Sequence, residues 1–104
     1  MEGTQLFRAL GDRIDRVILE FLIERKMACV SDVREHLEHV EHVAMSVSGL
    51  SHRMIALRQG GLVDFVLAGN KHYYYCVQEQ TIKTLIKVVQ IANADEPSRD
   101  LVIA

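Results

Sequence analysis

A chain of 104 residues with one proline and 49% hydrophobic residues suits a single, helix-rich folded domain with a modest core. No apolar run approaches the ~20 residues that span a bilayer, and MEGTQLFRALGD lacks the basic-then-apolar order of a secretory signal, so a cytoplasmic protein without a membrane partner is expected. The net charge of -2 hides a mild asymmetry: residues 1–44 carry nine acids against six bases, whereas residues 45–75 carry Arg53, Arg58 and Lys71 against Asp64.

In chain order, Thr4 can cap a short helix, QLFRALGD, that stops at Gly11. Asp12 can cap a second helix, where Ile14, Val17, Ile18, Phe21 and Leu22 repeat at the spacing of a buried stripe and Arg13, Arg16, Glu20 and Glu24 fall opposite. Lys26 to Val30 reads as a short extended link. Ser31 or Asp32 then caps a third helix with Val33, Leu37 and Val40 as its apolar marks. Ser46 caps a fourth, with Val47, Leu50, Met54 and Leu57 inward and Gly60-Gly61 as its end. Two β-prone runs flank Ala68-Gly69-Asn70-Lys71, a hairpin signal. The last helix runs from Gln78 to about Ala94 with Ile82, Leu85, Ile86, Val89 and Ala92 inward, and Asp95, Glu96 and Pro97 stop it. A domain of residues 1–94 with a flexible tail of residues 95–104 follows. Four helices, a hairpin and a helix make a mainly α fold with a β-hairpin wing, a winged helix-turn-helix.

The stretch SVSGLSHRMIALRQGGL then has a chemical reading. In a helix-turn-helix the second helix places its N-terminal end in the DNA major groove. Short polar side chains there let the backbone approach the bases, and their hydroxyls and the free backbone N–H groups bond phosphates and base edges. Ser46, Ser48, Ser51 and His52 meet that need, Gly49 adds close approach, and Arg53 and Arg58 can reach phosphates. At the wing tip Lys71 and His72 can do the same, and of Tyr73, Tyr74 and Tyr75, which alternate between faces, at least one belongs to the core. The plainer reading is an amphipathic helix with incidental serines.

LGDRIDRVIL and SVSGLSHRMIALRQGGLV, with CVSDV between them and GNKHYYYCV after them, resemble the ArsR/SmtB family of bacterial winged-helix repressors over roughly residues 5–94. The resemblance implies a homodimer through the first and last helices, binding to a palindromic operator on double-stranded DNA, and release by an inducer, often a metal ion. Three departures stand out. The positions aligned with the family's last-helix zinc ligands are Glu79, Thr81, Ala92 and Asp95, two carboxylates without an imidazole, so that zinc site is expected to be absent. The family's CVCD motif reads Cys29-Val30-Ser31-Asp32, and the first helix starts too near the N-terminus for a thiolate arm, so a soft-metal cage within one protomer is not expected. Val47 replaces a polar reader, and Val66 and Leu67 occupy wing positions that are often basic.

Two features lie outside that pattern. EHLEHVEHV repeats Glu-His-apolar, placing His36, His39 and His42 over ~120° if one helix carries them all. They are weak candidates for a divalent metal, alternatively a pH sensor, or simply a solvated face with Leu37, Val40 and Val43 inward. Cys29 and Cys76 are a candidate redox or sensor pair if a short strand at Cys29 meets the wing, alternatively partial metal ligands, and otherwise two buried small hydrophobes. Nothing pairs a nucleophile with a base and no phosphate loop is present, so an enzyme is not expected. The sequence points to a repressor released by cysteine redox or metal. The alternative is a winged helix for protein contact with weak or no DNA binding.

Overall fold

The computed structural model describes the backbone of residues 3–103 and the side chains of residue 6 and residues 8–92. Its elements are α1 (Gly3–Gly11), α2 (Arg13–Arg25), α3 (Val30–His39), α4 (Val47–Gln59), β1 (Val63–Ala68), β2 (Lys71–Cys76) and α5 (Glu79–Ile103). The expected Thr4 cap lies outside the described side chains. Among the described residues no helix is long and apolar enough to cross a membrane.

α2 is the centre of the packing. Asp12 caps it, its carboxylate accepting the N–H groups of Ile14 at 2.8 Å and Asp15 at 3.1 Å. Ile18, Leu19, Phe21, Leu22 and Ile23 are all buried, more than one stripe, because α2 packs against α1, α3, α5 and β2. Val33 and Leu37 of α3, Leu50, Met54 and Leu57 of α4, and Ile82 and Ile86 of α5 complete the core.

The wing leaves the core through a tight helix end. After α4, Gly61 takes φ 78°, the Leu62 N–H donates to the Leu57 carbonyl at 3.0 Å and the Gly61 N–H to Arg58 at 2.9 Å. This glycine-closed stop throws the chain straight into β1. β1 and β2 pair antiparallel from Val63 opposite Cys76 to Ala68 opposite Lys71, with Gly69 at φ 64° in the two-residue loop. The link between α2 and α3 pairs with the wing as the sequence suggested. Ala28 and Tyr74 exchange both backbone hydrogen bonds, at 3.0 and 2.8 Å. Tyr74 is the buried tyrosine; Tyr73 and Tyr75 are half-buried.

Several local expectations are corrected. α3 begins after Cys29, not after Ser31 or Asp32. Asp32 instead reaches back to accept the Cys29 N–H at 3.3 Å, so the acid serves the cap from inside the helix. α3 ends at His39 and Val40 is exposed, because the chain turns there and Val43, whose N–H bonds the Leu37 carbonyl at 2.8 Å, packs inward in its place. Val47 is not on the inner face of α4. It opens the helix about two turns, ~10 Å, before Met54, where the Cβ tilts away from the core. On α5, Leu85 and Val89 pack on the core as expected, but Ala92 is exposed, beside Val88 and Ile91. α5 also continues past Pro97 to Ile103; the φ that proline imposes is helical, so the helix proceeds with one backbone hydrogen bond fewer.

Candidate nucleic-acid interface

α4 is held to the core by one stripe, Leu50, Met54 and Leu57, which leaves its other side open. Ser46 caps the helix, its Oγ accepting the Gly49 N–H at 3.0 Å. A Cβ on Gly49 would lie 3.1 Å from that Oγ, so glycine suits the closeness of this cap. Val47, Ser48 and His52 are exposed and Ser51 is half-buried. Across from Ser51 stands the wing. A groove of about 530 Å³ lies between Ser51, Ile55 and Arg58 of α4 and Lys71 and His72 of β2, with Cys29 also lining it. Six of the anticipated residues, Ser46, Val47, Ser48, Ser51, His52 and Gly49, thus sit in the first two turns or cap of one helix, and Lys71 and His72 face the same groove from the hairpin.

The two arginines are placed differently from expectation. Arg53, anticipated at phosphate, turns toward α2 and bridges Asp12 at 3.1 Å and Asp15 at 2.9 Å. Its position on α4 sets it beside the buried stripe, where the α2 N-terminus offers two carboxylates. Burial pushes the Asp15 carboxyl above its ordinary value, with repulsion from Asp12 adding, despite the Arg53 hydrogen bond. For Asp12 burial acts in the same sense but is outweighed by the Asp15 backbone N–H and by Arg53, so its carboxyl lies below the ordinary range. Burial likewise opposes the charge on Arg53, but the two carboxylates outweigh it and hold the guanidinium charged. Arg58 is exposed yet engaged: its Nε donates to Asp64 at 3.0 Å and its guanidinium lies 4.5 Å from the Phe65 ring centroid. That hydrogen bond, with the Phe65 N–H, draws the Asp64 carboxyl below its usual range. Lys71 makes no ion pair among the described residues. Sequence reasoning missed Asp12 and Asp15 as partners of α4, since 38 residues separate Asp15 from Arg53 and no local pattern links them.

The histidine repeat does not form one helical face. α3 stops at His39, and His42 follows in a loop at φ 58°. His36 stacks on Phe21 with ring centroids 4.3 Å apart, a packing role. Among the described residues no three His, Cys, Asp or Glu side chains cluster as a metal site would require. Glu79, on the last helix, is tied to Lys26 at 2.6 Å, and neither Thr81 nor Ala92 offers an imidazole, so the residues there do not fit a zinc ion.

Cys29 and Cys76 are both free and buried. The antiparallel Ala28–Tyr74 bridge brings the link before Cys29 onto the strand that ends in Cys76. Burial and the nearby Glu79 charge push the Cys76 thiol up to about 12. It stays a thiol at neutral pH, so Cys76 offers no ready thiolate.

Two outcomes follow from these contacts. Arg53→Met should lower unfolding stability by about 1–2 kcal/mol at pH 7, the range for a charge-assisted contact left unmade. Asp12, with its lowered pKa, contributes stability present above pH ~4 and lost as pH falls through its folded value; Asp15, with its raised pKa, opposes this, stability falling as pH rises through that value. The gap between native protein and variant should therefore close as both carboxyls protonate, read by urea unfolding from pH 7 to 3; a gap constant over that range would remove the ion bridge as its cause. For Cys76, iodoacetamide at pH 8 should leave the thiol unmodified in the folded protein and alkylate it in urea, as mass spectrometry of the digested chain would show. Native stability should also fall between pH 9, where the unfolded thiol ionises, and about 12, where the folded one does.

No protein-family model matches the chain. The HTH-type transcriptional regulator MJ1325 of Methanocaldococcus jannaschii is 27% identical over 88 residues, 85% of this chain and 91% of that protein. Among solved structures, Rv0081 of M. tuberculosis matches with a TM-score of 0.72 and 27% identity, over 94% of this chain and 91% of its own. The homodimeric winged helix-turn-helix DNA-binding domain of Mb0332 from Mycobacterium bovis, described as a possible ArsR-family transcriptional regulator, matches with a TM-score of 0.69 and 22% identity, over 92% and 82%. The antimony-specific transcriptional repressor AntR gives 0.68 and 17%, over 90% and 78%. MJ1325, Mb0332 and AntR are described as transcriptional regulators, a non-enzymatic class. With α3, α4 and the hairpin arranged as described, the chain has the winged helix-turn-helix fold of the ArsR-family transcriptional regulators.

Proposed function

We propose that this protein is a sequence-selective transcriptional repressor that binds a palindromic operator as a homodimer. The observation that carries the reading is the open N-terminal half of α4, where Ser48 and His52 face solvent and half-buried Ser51 lines the groove, on a helix whose opposite stripe is locked in the core. Those side chains are short enough to let the helix enter a major groove, and the wing sets Lys71 and His72 beside it. AntR, a repressor of the same fold, supports the direction of control.

Dimerisation is supported by α5. Its apolar stripe is wider than the protomer covers: Val88 is 55% exposed and Ile91 65% exposed, next to the side that buries Ile82 and Ile86. Mb0332 is homodimeric. Replacing Ile91 with glutamate should leave helical content unchanged and convert a dimer to a monomer in light scattering; a dimer in both proteins would move the interface elsewhere.

Release is proposed to act through thiol chemistry at Cys29, the cysteine that lines the groove beside Ser51. A second reading, contact with a protein through the wing, is favoured by the exposure of Val66 and Leu67 at the hairpin.

One titration tests these together. Short duplexes from the gene's upstream region should bind selectively. With Arg53 committed to α2 and Arg58 paired with Asp64, phosphate neutralisation rests chiefly on Lys71, about two cations per dimer, so the slope of log K against log salt should be near -2. Lys71→Ala should flatten that slope by roughly two per dimer. Oxidant should weaken binding in the native protein but not in Cys29→Ser. Absence of selective binding would favour the protein-contact reading.

A further inference from the structure

Val47 opens α4 with a side chain that the fold does not use. It is 53% exposed and takes no part in the core cluster, which closes on Leu50, Met54 and Leu57 without it. A single exposed apolar residue is ordinary on a protein surface. Its position here is not. It is the first residue of the helix proposed above to enter the major groove, flanked by the capping Ser46 and the exposed Ser48. The Ser46 Oγ is occupied by the Gly49 N–H, so the helix tip offers an apolar surface where a polar reader would stand.

The major groove has one apolar landmark. Thymine carries a methyl group at C5, where cytosine has only hydrogen, and apolar side chains meet it there. Valine suits the task. Branching at Cβ restricts its χ1, so its two methyls are held in a fixed direction with little freedom to lose on contact. Contact would remove from water both the Val47 methyls and the thymine methyl. The other large apolar residue on this side, Ile55, lies eight residues or ~12 Å further along the helix, facing the groove under the wing rather than the tip.

We propose that Val47 is a specificity-determining residue that reads the C5 methyl of a thymine, one in each half-site of the operator. This deepens the DNA-binding reading and rests on it.

The test uses the full chain. The preferred duplex is first selected from a random pool. Each thymine in it is then replaced, one at a time, by deoxyuridine, which removes the methyl and preserves base pairing. For the native protein, one such replacement per half-site should weaken binding about three- to fivefold, the factor associated with burying a single methyl-sized group. Val47→Ala should bind the thymine and uracil duplexes equally, and Val47→Thr, which keeps one methyl, should retain part of the preference. An unchanged melting temperature in both variants would confirm that the exposed side chain acts outside the core. Native binding insensitive to every replacement, or an equal loss in native protein and Val47→Ala, would overturn the inference while leaving DNA binding intact. Failure to select any duplex would overturn both.

Discussion

The packing of Leu50, Met54 and Leu57 into the core is the constraint on which the rest depends. All three are essentially withdrawn from water, and together they define one side of α4. A helix anchored on a single stripe has its rotation about its own axis settled. Which side chains face outward at its N-terminal end then follows. Arg53 fixes the same helix against α2 by charge, at a point where three ionisable groups share a partly desolvated pocket. Apolar burial sets which face is presented; the guanidinium ties that face to the cap of the central helix.

The wing is integrated by comparable means. Arg58 spans from α4 to Asp64 on β1 and covers the Phe65 ring, while Ala28 pairs with Tyr74 on β2. Both strands of the hairpin are therefore attached, one to the end of α4 and the other to the link before α3. The groove between α4 and the hairpin is bounded by elements that share these attachments, which pre-organises its two sides before any partner arrives.

Much of this was legible in the sequence. The Asp12 and Ser46 caps, the double glycine and the hairpin signal around Gly69 all depend on neighbours a few residues apart, and each appeared where the pattern placed it; the α2 stripe was legible in part, since Leu19 and Ile23 are buried beside it. What escaped was decided at long range. Whether Arg53 faced phosphate or α2 depended on two acids far away in the chain. His42 left the histidine face because α3 ended early, when Val43 rather than Val40 filled the core. Val47 matched the apolar periodicity and failed to be buried because periodicity carries no information on how far the core extends along a helix axis. The reactivity of Cys76 was illegible for a similar reason: the cysteine's position was evident, its enclosure was not.

The engagement of both α4 arginines has a consequence for how the molecule would find its target. Arg53 and Arg58 are each neutralised within the protein by aspartates. A DNA-binding protein with few free cations holds weakly to arbitrary sequence, because that affinity comes almost wholly from phosphate neutralisation. On a chromosome, where competing sites vastly outnumber an operator, a smaller share of its copies would be sequestered on the wrong DNA. Modest absolute affinity for one site is then compatible with effective occupancy at low copy number, and the internal ion pairs that hold the reading helix in place would also keep the search from stalling.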